Sequence, residues 1–192
     1  APQAKPLPPG MLDRLRQHAA ATRGNAALTS LRLLRRIDRP HHLAIVETWK
    51  DPAAAEAQRG SPAMAALRAS LGPLLIAPYD ERPHLTMSVG ATTPVPGAIF
   101  VVTHIDVVPT GREAGAAATA ALTEASRGTP GNLGFDALIQ LSRQNHFTVV
   151  ECWHDEAALL AHAVAAPTIA ARNTLGPLGG SLYDERLYRE IV

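Results

Sequence analysis

Cysteine is almost absent from this chain. Cys152 is the one thiol in 192 residues, which excludes an intrachain disulfide and says little about compartment. No sign of charge dominates either, since 18 Lys and Arg face 17 Asp and Glu for a formal +1. Basic residues cluster only at Arg32, Arg35, Arg36 and Arg39, which is no footprint for nucleic acid or an anionic membrane. Those four are most simply a solvated strand edge that deters strand-to-strand association. No apolar run approaches the ~20 residues of a membrane span, and no signal peptide is visible. Missing too are a Gly-x-Gly-x-x-Gly turn, a phosphate loop, a His-Glu-x-x-His helix and paired cysteines. The His41-His42 pair is too short a cluster to argue a metal site. Neither a metal nor a cofactor is therefore expected. With 46% apolar and 18% charged residues the chain is globular.

What is present is a duplication. Tyr79-Asp80-Glu81-Arg82 recurs 104 residues later as Tyr183-Asp184-Glu185-Arg186. The same offset holds, without a gap, back to Arg39 and Arg143. It aligns His42 with His146, Val46-Glu47 with Val150-Glu151, Trp49 with Trp153, and Asp51 with Asp155. It also aligns Arg68 with Arg172 and Leu71-Gly72-Pro73-Leu74 with Leu175-Gly176-Pro177-Leu178. Residues 36–82 against 140–186 give 19 identities in 47 positions, so one small unit is written twice. We divide the chain into a first repeat (1–90), a linker (91–98) and a second repeat (99–192). A lone domain of that size buries only about 60–65% of its unfolded surface, which favours packing the two copies together.

In the second copy, residues 98–108 are β-branched and end at Pro109, a strand. Thr110 is placed to cap a helix over 113–127, with Ala117, Ala121, Leu122 and Ala125 at helical spacing. Residues 133–141 and 146–153 alternate around Ser142-Arg143-Gln144-Asn145 as a hairpin. Asp155 caps a helix to about residue 165, Pro167 breaks it, a further helical stretch reaches Leu175, and 180–192 close as a strand. The order β-α-β-β-α-β is the ferredoxin-like split motif. The first copy repeats it from its helix onward (9–22, 28–37, 42–49, a broken helix over 52–71, and a strand over 75–89) and lacks the opening strand. Such a sheet covers one face with helices and leaves the other bare. The expected fold is therefore α+β: two ferredoxin-like repeats packed sheet to sheet as an intrachain barrel. The start at Ala1-Pro2, which resembles Val108-Pro109, is compatible with an upstream strand outside this sequence, with a unit that lives without one, or with an exported, periplasmic precursor trimmed near Ala1. A missing strand also leaves an edge that a second copy of the chain can fill as a homodimer.

These residues resemble a known family. The segment PGNLGFDALIQLSRQNHFTVVECWHDEAALLAHAVAAPTIAARNTLGPLGGSLYDERLY is similar to the antibiotic biosynthesis monooxygenase domain, within the dimeric α+β barrel superfamily. The similarity covers Phe100 to Tyr188 well and Leu12 to Arg82 more weakly. Its most specific elements are Pro130-Gly131-Asn132, Asn145-His146-Phe147 leading into Val-Val-Glu-x-Trp, Ala161-His162, and Gly-Ser-Leu-Tyr-Asp-Glu-Arg. The resemblance implies a quinol monooxygenase type of protein: a cofactor-independent oxygenase taking a small aromatic substrate and dioxygen. Two alternatives stand beside it: a non-catalytic small-molecule binder on the same barrel, and a haem-binding or haem-degrading protein.

Oxygenation without flavin or metal needs a base to form a phenolate or enolate, a water-poor cavity, and donors for developing charge. Three residues of the second copy are candidates. His104 lies on the first strand, Trp153 ends the third, and His162 lies on the helix beyond. Haem-degrading relatives place a polar residue, a tryptophan and a histidine in a similar layout, but with Asn where His104 stands. His162 or His104 is expected to act as general base, with Trp153 walling the pocket, and Asn145, His146, Phe147 and Arg172 as substrate contacts. Each has a structural reading: a helix histidine satisfied in the core, a core tryptophan, and a histidine at a turn. Cys152, alternating away from Glu151 and Trp153, is by default an inert buried thiol. Glu47 and Glu151 are expected to pair with Arg68 and Arg172 or with Arg82 and Arg186. Tyr-Asp-Glu-Arg would serve a strand crossing in which Asp and Arg satisfy each other. The first copy has Gln58 where the second has His162 and nothing opposite His104, so it reads as a degenerate scaffold.

Overall fold

The computed structural model describes residues 7–182 and 184–191. Tyr183, the start at Ala1-Pro2 and the terminal Val192 lie outside the described residues. Two compact units emerge, residues 1–81 with 190–192, and residues 82–189. Among the described residues no strand precedes the first helix, and no helix is long and apolar enough to cross a membrane.

The first unit holds α1 (Met11–Arg23), β1 (Leu28–Arg36), β2 (Leu43–Trp49), α2 (Pro52–Arg59) and α3 (Pro62–Leu71). α1 buries Met11, Leu15, His18, Ala19 and Thr22, one face of a 3.6-residue period. Strands β1 and β2 pair antiparallel, with Leu33 opposite Ile45 and Leu31 opposite Glu47. Met11, Leu15, Leu33, Met64, Leu67 and Leu71 form the core. Asp51 and Ser61 cap α2 and α3 by accepting from the amides of Ala54 and Met64 at 2.8 and 3.1 Å. The backbone of Ile191 belongs here too, donating to the Leu33 carbonyl at 2.8 Å.

The second unit contains β3 (His84–Ser88), β4 (Ile99–Asp106), α4 (Arg112–Arg127), β5 (Asn132–Gln140), β6 (His146–Trp153), α5 (Glu156–Ala163), α6 (Ala166–Leu175) and β7 (Asp184–Glu190). Its sheet runs β7-β4-β6-β5-β3, all antiparallel. The 104-residue offset extends to the elements themselves. β1 and β5 coincide under it, as do α2 and α5, α3 and α6, and the helix-ending Gly24 and Gly128. The chain has the α+β, ferredoxin-like fold in tandem.

Three details were not part of the sequence reading. The strand expected over 75–89 is confined to His84–Ser88, and it pairs with β5, with Leu85 opposite Ile139. Residues 90–97 run against β5: the Gly90 amide donates to Asp136 at 2.9 Å and the Thr93 amide to the Leu133 carbonyl at 3.1 Å. Thr110 lies in a short 3-10 turn, and α4 begins without a side-chain cap.

α4 faces its sheet with small residues. Gly115, Thr119, Thr123 and Ser126 are buried at helical spacing. The three hydroxyls donate back to carbonyls one turn earlier at 2.6–2.8 Å, so the stripe leaves no unpaired donor. A Cβ on Gly115 would stand 3.0 Å from the Phe147 ring, a tight contact that glycine avoids.

Candidate functional site

Alternation along β4 and β6 sorts the polar residues onto two faces. On the helix-covered face, Ile99, Val101, Phe135, Val149 and Trp153 form one core, with Leu122, Ala158 and Leu159 packed against it. Glu151 stands opposite Val101 in register and shares that face. His104 has the opposite parity: it lies across from Thr148 on β6 and Asp184 on β7. The three residues expected to share a pocket are therefore divided, Trp153 and His162 on one side and His104 on the other.

Trp153, Glu151, His162 and Thr168 make a buried cluster. The Trp153 indole N–H donates to Glu151 Oε2 at 2.8 Å. The His162 ring stacks on the Trp153 indole with centroids 4.5 Å apart and planes at 29°. Its Nε2 lies 4.0 Å from Glu151 Oε2, and Thr168 Oγ1 lies 3.2–3.3 Å from the ring nitrogens. Phe135 meets His162 edge-on at 5.6 Å. α5 delivers His162, and Asp155 starts that helix by accepting from the Ala158 amide at 2.9 Å. Burial pushes the Glu151 carboxyl up to about 7, the indole N–H opposing the rise and Glu185 adding to it. Burial, with Arg172 adding to it, lowers His162 to about 4. At neutral pH the site pairs a carboxyl near its midpoint with a neutral imidazole.

On the other face, Thr148 joins two histidines. His84 Nδ1 lies 2.6 Å from the Arg82 carbonyl, which only accepts, so Nδ1 carries the proton. In the neutral ring His84 Nε2 then accepts from the Thr148 hydroxyl at 2.9 Å. Thr148 in turn accepts from His104 Nδ1 at 3.1 Å, which leaves His104 Nε2 as an acceptor. Desolvation first, then Arg82 and Arg186, hold His104 down at about 4, and burial lowers His84 as well.

The expected substrate contacts are engaged in structure. The Asn145 side chain donates to the Val107 carbonyl at 2.6 Å, while its own backbone carbonyl receives the Val107 amide at 3.0 Å. His146 Nδ1 pairs with Asp106 at 2.7 Å. Phe147 is buried in the core against Gly115. Arg172 donates to the Ala163 carbonyl at 2.7 Å, closing the end of α5.

The two glutamates and Arg68 have other hydrogen-bond partners. Glu151 and Glu47 take the indole N–H of the tryptophan two residues on, whereas Arg68 binds Glu81 with two nitrogens at 2.7–2.9 Å. Arg186 pairs with Asp184, as the repeated motif implied.

Sequence reasoning missed Glu151 as a site residue, although its even spacing from Trp153 on one strand was the signal. It missed His18 as well. In the first unit the Trp49 indole donates to Glu47 Oε2 at 3.1 Å, and His18 Nε2 lies 3.3 Å from Glu47 Oε1. Thr22 Oγ1 is 3.4 Å from the same nitrogen, and Gln58 donates to Thr22 at 3.3 Å. A depression of about 340 Å³ in this unit is lined by Gly72, Leu75, Ile76 and Tyr79 and by none of the cluster residues. Among the described residues, no group of three or more His, Cys, Asp and Glu is placed to hold a metal ion.

Tandem ferredoxin-like units, each joining a glutamate, a tryptophan and a histidine in one cluster, define an α+β protein of the ferredoxin-like class. The chain belongs to the antibiotic biosynthesis monooxygenase family, whose pattern matches residues 10–70 and 98–171, more than half of its length. Among solved structures it is similar to a putative monooxygenase from Fusobacterium nucleatum, with TM-score 0.80 and 14% identity over 94% of this chain and 84% of that one. It is also similar to a putative monooxygenase from Lactobacillus acidophilus, with TM-score 0.74 and 8% identity over 94% and 85% of the two chains. At such identities the likeness is one of fold. No curated protein matches the chain in sequence.

Proposed function

We propose that the second unit is a monooxygenase centre that oxidises a quinol or polyphenolic aromatic with dioxygen and needs no cofactor. The observation that carries this reading is the Glu151–His162 pair beneath Trp153. A carboxylate raised to about 7 is a base matched to neutral pH, held where water is scarce. Family membership supplies the reaction class.

The stoichiometry closes without an external reductant. A quinol and dioxygen give a hydroxyquinone and water: one oxygen atom enters the ring, the other leaves as water, and the substrate supplies all four electrons. Glu151 takes the phenolic proton, which makes the ring electron-rich enough to reduce oxygen. His162, neutral at that pH, stacks on the Trp153 indole beside that carboxyl.

The test is oxygen uptake by the purified chain with a naphthohydroquinone, measured against autoxidation. A rate that Glu151→Gln cuts at least tenfold supports the reading. Uptake equal to autoxidation overturns it. Tight binding without uptake identifies a binding protein, and a Soret band that saturates on adding haem identifies the haem-binding alternative.

A further inference from the structure

The first unit repeats the acid–indole pair of the second at equivalent positions, Glu47 and Trp49 for Glu151 and Trp153. In both units the indole N–H donates to the glutamate, at 3.1 and 2.8 Å. The histidine is handled differently. Gln58 replaces His162 on the equivalent helix, and that helix offers no imidazole. But position 18 of α1, where the second unit has Leu122 on α4, is a histidine buried to 7% exposure. It meets Glu47 at 3.3 Å, closer than the 4.0 Å between His162 and Glu151. The imidazole is gone from one helix and present on the other, and both routes end at the same carboxylate.

A purely structural account explains this less well. If the glutamate needed only a polar neighbour, Gln58 stands at the equivalent position to His162, yet its amide turns to Thr22 instead. What the two units share is a carboxylate, an indole and an imidazole together, rather than a satisfied carboxylate. Access also favours the first unit. The Glu47 side chain is 19% exposed against 9% for Glu151, and β2 is half-buried along its length where β6 is mostly buried.

We propose that the first unit is a second aromatic-binding site of the same chemistry, built from Glu47, Trp49 and His18, with the imidazole supplied by α1. It rests on the quinol reading of the second unit. Its ligand is the same class, a flat aromatic with an acidic hydroxyl, whose proton Glu47 accepts while His18 holds the carboxylate in place. His18 is here a positioning residue.

The sequence has two tryptophans, one in each cluster, so each site carries its own reporter. Trp153→Phe leaves only Trp49 to fluoresce, and Trp49→Phe leaves only Trp153. The probe is 1,4-dihydroxynaphthalene under argon, titrated into the full chain of each variant. The expected result is saturable quenching of Trp49, weakened about tenfold by adding His18→Gln. If His18→Gln fails to fold by circular dichroism, the near-isosteric Glu47→Gln takes its place with the same expectation. Quenching of Trp49 that rises linearly without saturation, or that saturates with unchanged affinity in these variants, overturns the proposal. Saturable quenching at Trp153 with none at Trp49 defeats the second site and leaves the first standing. Absence at both tryptophans defeats both readings.

Discussion

His18 and Leu122 are equivalent positions of the two copies, 104 residues apart, yet His18 meets a glutamate while Leu122 joins an apolar core. The first unit, for which Gln58 in place of His162 predicts a degenerate scaffold, thus keeps an imidazole beside its carboxylate. The substitution that removed one histidine is visible along the sequence. The compensating one lies on another helix, and only the packing of α1 on β1, beside β2, brings it to Glu47.

The Glu151 carboxyl makes stability depend on pH in a definite direction. Its folded pKa of about 7 lies above the usual carboxylate range, so the folded chain binds this proton more tightly than the unfolded one. Stability from this group is complete below about pH 4.5 and lost as pH rises through 7, up to roughly 3 kcal/mol in all. Glu151→Gln should flatten that decline in urea unfolding followed from pH 5 to 8. His162 and His104 act oppositely: both are lowered to about 4, so their contribution is present above pH 6.5 and lost as pH falls through 4.

If Glu151 is the base, oxygen uptake should climb with pH through an apparent pKa near 7. His162, neutral above about pH 5, should add no limb in that range. A profile that keeps its rise in Glu151→Gln would assign the base elsewhere.

Thr148 fixes two imidazoles at once. Its loss in Thr148→Val leaves His84 Nε2 and His104 Nδ1 without their shared hydroxyl, at a cost of about 1–3 kcal/mol. Long-range nitrogen–proton spectra of the unaltered chain should show both rings carrying the proton on Nδ1. A His84 ring protonated on Nε2 alone would contradict this order of donors and acceptors.

Gly131 precedes β5 with a φ of +79°, and a Cβ there would stand 2.4 Å from that of Ala158 on α5. Gly131→Ala combines left-handed backbone strain with displacement of the helix that carries His162. The expected loss is on the order of 1–3 kcal/mol, read by denaturant unfolding, with weaker quenching of Trp153 by the quinol probe.

Asp155→Ala removes the side-chain cap of α5 and should cost about 1 kcal/mol, as should Asp51→Ala at α2. The two variants separate function from stability. Both weaken a helix, but Asp155→Ala should lower oxygen uptake by the second unit more than Asp51→Ala does.

The duplication, the ferredoxin-like order of elements and the cap at Asp155 were legible along the chain. They depend on a fixed repeat offset, local period and local capping, all of which a linear text preserves. Partnership across elements was not legible. Strand parity decided that His104 turns away from Trp153, helix packing decided that His18 rather than Gln58 meets Glu47, and pairing decided that His84–Ser88 extends the second unit's sheet. Such contacts form only when segments far apart in the chain are brought together, because packing selects among residues that local spacing treats alike.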